Sequence, residues 1–468
     1  MYKQRIEEYF KIHGNEMLES AMRLIRIKSD RGEAKNGMPY GEGPAAALKE
    51  ALVIAEELGF KVKNYDNYVG TIDFNDSETQ LDILAHLDTV PEGEGWNVTE
   101  ALKPVIKDGM LYGRGAADDK GPAMCALYAM KTVKDLGVPL GKNVRLILGT
   151  DEECGSSDIK YYYDREKEAP MTFSPDAEFP LINIEKGSLR SGFKANFQET
   201  SDLPRLVSVK GGTKLNVVPD RAAAVIEGLK ASEARPVCDE AAAETGLAFT
   251  LEETEGKLAI TARGRGAHAA IPENGNNAVT GMIHLLSKLP LKGAGHEKLK
   301  AVAKLFPHGD WYGKGSGVAQ EDELSGKLTI SLNIINGTSQ SLSVEFDSRC
   351  PLCANDSNMR KVLEEKGKAL GLDLFDKAMN APHYVDADSP FIKTLLGCYE
   401  AYTGLEGKCL AIGGGTYVHD LKNGVAFGCS LPGTDNRMHG ADEFAVVDEL
   451  ILSAKIFAQA IIELCGEE

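Results

Sequence analysis

No stretch of the chain approaches the roughly 20 consecutive apolar residues of a membrane-spanning helix, so no helical membrane span is expected. The N-terminus, Met1 to Phe10, is charged throughout and lacks the apolar core of a secretory signal. A cytoplasmic protein is therefore the default expectation. Positive charge is scarce as well: 52 Lys and Arg face 70 Asp and Glu, a formal net charge of −18. Nucleic acid and anionic membrane surfaces are bound by basic patches, so neither is expected as a partner. The nine cysteines are an odd, scattered set, which suits a reducing compartment. Cys350-Pro-Leu-Cys353 has no second pair to complete a zinc knuckle. Tandem repeats and low-complexity segments are also missing. What remains, 43% hydrophobic and 26% charged residues, is the composition of a soluble globular protein. Its 468 residues exceed one ordinary core, so two or three domains are expected.

Three apolar runs end in side chains that can bind metal. Leu81 to Pro91 reads as a buried strand leaving a sheet, with His86 and Asp88 near the strand's end. Side chains alternate along a strand, so these two point the same way. His86 could bind a metal through one ring nitrogen while Asp88 takes the proton on the other, or it could be a hydrogen-bonded core histidine. Val144 to Gly149 leads into Asp151-Glu152-Glu153, and Phe173-Ser-Pro leads into Asp176. Between them, Leu111-Tyr-Gly-Arg-Gly-Ala-Ala-Asp118-Asp119-Lys120-Gly121-Pro122 precedes a helical pattern. The acids there could instead simply complement a helix dipole.

Strands alternating with helices predict a mainly parallel sheet with helices on both faces, and ligands gather beyond the carboxyl ends of such strands. From about residue 186 to 382 the pattern changes to short alternating runs with interspersed helices, an α+β insert. Residues 1–185 and 383–468 form the remaining domain. The segment 3–27 reads as helical pieces broken near Gly14. Two histidines (His86, His439) and three carboxylates (Asp118, Glu153, Asp176) form the candidate constellation, with Asp88 and Glu152 beside two of its members. Two divalent cations against three carboxylates leave surplus positive charge, which would acidify a bridging water. A free carboxylate could take its proton. Imidazole with carboxylate suits Zn²⁺ first, with Mn²⁺ or Co²⁺ as alternatives.

As a set these motifs resemble the M20 family of metallopeptidases, and within it the PepV-like dipeptidases. The resemblance also covers Asn216-Val-Val-Pro219, Gly264-Arg-Gly-Ala-His268, Asp347-Ser-Arg349-Cys-Pro351, Gly413-Gly414-Gly415-Thr-Tyr417 and His439, in family order over nearly the whole chain. It implies that Asp118 bridges two divalent metal ions, that His86 and Asp176 complete one, and that Glu153 and His439 complete the other. Glu152 would be the general base and Asp88 would orient His86. The peptide before Asp119 would be cis, a form rare outside proline.

The resemblance makes the insert a lid. Its His268 would stabilise the oxyanion, while Asn216, Arg349 and the turn at Gly414 and Gly415 hold the substrate carboxylate. A guanidinium fork fits a carboxylate bidentately; the bland alternative for Arg349 is a surface ion pair. An insert of this length points to a monomer. The chain departs from the compared dipeptidases after Tyr417, with Val418-His419-Asp420 in place of Ala-Arg, which alters a basic position expected to touch substrate. His13, His284, His296, His308 and His383 have no partners in sequence and read as ordinary. The expected activity is hydrolysis of dipeptides with free termini. The alternatives are N-acyl amino acid deacylation or carboxypeptidase action, and, in another class, a non-catalytic metal-bound scaffold.

Overall fold

The computed structural model describes residues 2–467. The chain divides into two compact units, one from the chain up to Ile184 and from Tyr384 onward, the other Glu185–His383.

The first unit is built on a sheet whose strands run in the order Lys61–Tyr65, Val69–Asp73, Asn143–Gly149, Thr79–His86, Met171–Ser174, Gly424–Ala426 and Leu181–Glu185. Its four central strands are mutually parallel and its edges antiparallel. The expected parallel core is therefore present, framed by hairpin-like edges. Within the strand Thr79–His86 every residue from Leu81 on is buried, as in a strand covered on both faces. Leu81, Ile83 and Ala85 join one large core cluster with the helices Tyr2–Ile25, Lys120–Asp135, Pro390–Thr403 and Val447–Cys465. Leu84 points the other way, into a smaller cluster with Val69, Ile147, Tyr162 and Val418. Parallel register sets His86 beside Gly149 and Ile83 beside Phe173. Three strand ends thus finish at one level.

The first helix runs unbroken through Gly14, contrary to the expected interruption. A Cβ at Gly14 would stand 3.3 Å from Ile451 Cδ1, so this glycine admits a close helix neighbour instead of ending the helix. Among the described residues no helix is long and apolar enough to cross a membrane.

The second unit is an eight-stranded sheet in the order Ala248–Thr254, Lys257–Arg263, Arg221–Glu227, Arg205–Gly211, Thr329–Thr338, Ser341–Cys350, Gly187–Asn196 and Asp373–Leu374. Its pairs are antiparallel. One face is covered by the helices Ala231–Thr245, Ala278–Lys288 and Ala294–Leu305 around a single apolar cluster. This is the α+β organisation expected of the insert.

A buried ion pair braces the first sheet. Arg145 donates from Nε and Nη2 to the two oxygens of Asp82, at 2.8 and 2.9 Å, and Asp82 is fully buried. Removing one partner of such a pair strands the other charge, at a cost of about 3–5 kcal/mol. Asp82→Ala is expected to lower unfolding stability by that amount in a denaturant melt; a loss below about 1 kcal/mol would show that the pair is not the brace.

Candidate metal centre

The strand ends and the turns that follow them bring the ligand candidates together. His86 Nε2 lies 3.0 Å from Asp118 Oδ1 and 3.5 Å from Asp176 Oδ2. His439 Nε2 lies 2.9 Å from Asp118 Oδ2 and 3.1 Å from Glu153 Oε1. Two groups result, His86 with Asp118 and Asp176, and Asp118 with Glu153 and His439, the ligand atoms of each lying within 4.8 Å of one another. Asp118 belongs to both and offers one oxygen to each histidine. The residues fit a pair of cations by another sign as well. His86 Nε2 and Glu153 Oε1 are buried and, despite their close neighbours, make no hydrogen bond of acceptable geometry, which is how a ligand atom looks when its partner is an ion.

The local sequence explains why Asp118 arrives there. It precedes the helix Lys120–Asp135 at the end of a tight turn. A Cβ at Gly121 would stand 2.1 Å from the Ala116 carbonyl oxygen, so only glycine lets the turn close onto the helix. The Asp118–Asp119 peptide is cis, as is Gly428–Cys429.

Burial pushes the Asp118 carboxyl up, but the hydrogen bond of His439 and the close approach of the His86 ring outweigh it and hold the group well below the usual carboxylate range. Burial opposes charge on His86 too, yet the carboxylates of Asp118, Asp176 and Asp88 raise the ring well above its ordinary value. Asp176 moves upward through burial and the Asp118 charge. Glu152 is pushed well above the usual carboxylate range, first by burial and then by the negative charges of Asp176 and Asp118, against the opposing pull of His86. Among the described residues the Glu152 carboxylate accepts no hydrogen bond. It is the uncommitted acid of the cluster.

Asp88 has more partners than expected. His86 Nδ1 is 3.0 Å from the backbone carbonyl of Asp88 and 3.5 Å from its Oδ1. The Asp88 carboxylate also accepts the backbone N–H groups of Glu152 and Glu153, both at 3.1 Å. It stands beside the imidazole and fixes the turn carrying both glutamates.

Sequence reasoning missed other anchors. Asp119 is buried and accepts the backbone N–H of His86 at 3.0 Å. Asp158 accepts the backbone N–H groups of Thr150 and Asp151 and the Tyr417 hydroxyl, at 2.6, 3.0 and 2.5 Å. No spacing rule marks such acids, because their partners are backbone groups from distant turns.

Gly414 and Gly415 lie between the strand Cys409–Ile412 and the short 3₁₀ turn Tyr417–Asp420. Val418 packs in the smaller core cluster, fully buried, so the departure there is a packing residue, while His419 is partly exposed and Asp420 exposed. The second unit carries the remaining candidates. His268 pairs with Val217 across a two-residue ladder, and Ala269 N–H donates to the Asn216 carbonyl at 2.9 Å. The Ala270 N–H donates to His268 Nδ1 at 3.2 Å, so a neutral ring carries its proton on Nε2. Arg349 is no surface residue: it is buried, and its Nε and Nη2 donate to Asp347 at 2.8 and 3.1 Å.

His439 is pushed up to about 10 by its hydrogen bond to Asp118 and by the Glu153 carboxylate close beside it, so it is protonated at neutral pH until a cation displaces the proton. Metal binding to chelator-stripped protein is therefore expected to release protons near pH 7 and to tighten as pH rises. It should also raise the melting temperature, by the equivalent of about 2.7 kcal/mol at a hundredfold excess over Kd. Calorimetry in two buffers of different ionisation enthalpy reads the protons, and binding without release would contradict the arrangement.

Residues 83–463 match the family model described as Peptidase family M20/M25/M40. The chain is 36% identical over 454 residues to YtjP of Bacillus subtilis (strain 168), whose dipeptidase assignment is itself provisional, covering 96% of this chain and 97% of that one. It is 34% identical over 455 residues to the Beta-Ala-Xaa dipeptidase of Lactobacillus delbrueckii subsp. lactis, covering 97% and 96%. Human carnosine dipeptidase 1 shares the fold at a TM-score of 0.59 and 14% identity, over 99% of each chain. The similarities in sequence extend over nearly the whole length and include every strand end described above. The chain belongs to peptidase family M20/M25/M40 and is a hydrolase.

Proposed function

We propose that this hydrolase cleaves the peptide bond of dipeptides and other short peptides with free termini, using two divalent cations held by the residues around Asp118. The observation that carries the reading is the pair of ligand groups sharing that one carboxylate, with an uncommitted Glu152 beside them. Relatives named as dipeptidases over the full length support the substrate class. When bound, such cations polarise a carbonyl and acidify water; the donor set suits Zn²⁺ first, with Mn²⁺ or Co²⁺ as alternatives.

The chain's own residues would do the rest. Asp118 would serve both ions, His86 and Asp176 the first, Glu153 and His439 the second. Glu152, raised well above the usual carboxylate range by burial and neighbouring charge, would take a proton from the attacking water and return it to the leaving amine. Asp88, by holding the backbone of Glu152 and Glu153, would keep that base in place. His268, whose Nε2 carries the proton of the neutral ring, would donate to the developing oxyanion. Asn216, Arg349 and the turn at Gly414 and Gly415 would hold the substrate carboxylate, with Asp347 fixing the guanidinium of Arg349 through two hydrogen bonds. The same reading has the enzyme working as a cytoplasmic monomer.

A dipeptide panel assayed before and after chelation tests the activity: undiminished hydrolysis without metal would overturn it, and preference for N-acylated over free-amine substrates would favour a deacylase. Glu152→Ala is expected to retain bound metal while kcat falls about 10²- to 10⁴-fold; near-normal turnover would remove Glu152 from the role. His268→Ala should cost about 10²- to 10³-fold in kcat, whereas a change confined to KM would mark it as a binding residue.

A further inference from the structure

One buried ion pair in the first unit touches two of the three loops that deliver the second ligand group, those of Asp118 and His439. Arg114 and Glu443 are 2% and 0% exposed, and Arg114 Nη1 donates to Glu443 Oε2. The other glutamate oxygen, Oε1, accepts the backbone N–H groups of Gly115 and Ala117, at 2.9 and 3.2 Å. Ala117 is the residue before Asp118. On the opposite side, Arg114 Nη2 donates to the carbonyl of Gly440 at 3.0 Å, the residue after His439. The same nitrogen reaches Glu92 O at 3.2 Å, and the guanidinium lies over the Trp96 ring, 5.4 Å from its centroid.

The loop bearing His439 needs such a tether. Arg437, His439 and Asp442 all sit at positive φ, 55°, 62° and 56°, so no regular element fixes where the imidazole points. A buried ion pair is also a weak way to gain stability, since desolvation offsets most of its attraction. Its bonds to both ligand loops point to a different use.

We propose that Arg114 and Glu443 are positioning residues that set the separation of Asp118 and His439, and thereby the affinity of the metal position these two share with Glu153. This rests on the metal-site reading above. Residues that orient ligands from behind commonly control metal affinity by about 10- to 100-fold.

The test uses the full-length protein stripped of metal and titrated with Mn²⁺ in equilibrium dialysis, with the melting temperature of the metal-free form measured in parallel. Wild type should bind two ions. The double variant Arg114→Met/Glu443→Met replaces the pair with apolar groups of similar length but leaves the Gly115 and Ala117 amides without their acceptor, so its metal-free melting temperature is expected to fall. It should bind one ion as before and the second about 10- to 100-fold more weakly. Glu443→Gln, which keeps the shape and an acceptor oxygen, should fall between. A pair that is only structural would shift the melting temperature and leave the two affinities alone, and that result overturns the proposal. Should the double variant fail to fold, unchanged affinities in Glu443→Gln overturn it equally. Wild type binding no Mn²⁺ would instead overturn the metal-site reading itself.

Discussion

A single buried carboxylate lies between two imidazoles, and the first unit is arranged to keep it there. Asp118 gives one oxygen to His86 and the other to His439, residues 32 positions before it and 321 after it in the chain. Around it stand Asp176, Glu153 and Glu152, carboxylates whose mutual repulsion and burial would be costly without compensating positive charge. A cluster of this kind is coherent as a binding site for cations and poorly suited to any purely structural purpose.

The acids that are not candidate ligands share one physical task. Asp119 takes the N–H of His86, Asp88 those of Glu152 and Glu153, Asp158 those of Thr150 and Asp151, and Glu443 those of Gly115 and Ala117. Turns beyond strand ends have no ladder to satisfy their amides, and a buried amide must find an acceptor. Charged acceptors make these bonds stronger than neutral ones would. Parallel register brings the strand ends to one level, and buried carboxylates then fix the loops that leave them. Part of the formal charge of −18 is therefore internal.

Much of this was legible in the sequence because it is local. Apolar runs ending in His86, Glu153 and Asp176 announce strand ends, and Gly113 to Gly121 announces a turn into a helix. The insert's change of period was equally visible. The helix Ala231–Thr245 went unnoticed because it holds Pro236 and buries only four residues. Gly14 misled for the opposite reason: a glycine in a helix reads as a break unless the neighbour it accommodates, Ile451, is known. Asp88 was seen beside His86, 3.5 Å from its Nδ1, but the alternation of a strand says nothing of the amides at residues 152 and 153 that its carboxylate also accepts. The buried state of Arg349 and Val418 depends on sheet and core partners far away in sequence, which no local pattern encodes.

The most direct test of a carboxylate shared between two cations is an anomalous difference map from crystals grown with Zn²⁺, collected at the zinc edge. Two peaks about 3.5–4 Å apart, one beside His86 and Asp176 and the other beside Glu153 and His439, with Asp118 between them, are expected. A single peak, or peaks that leave Asp118 uncoordinated, would contradict it.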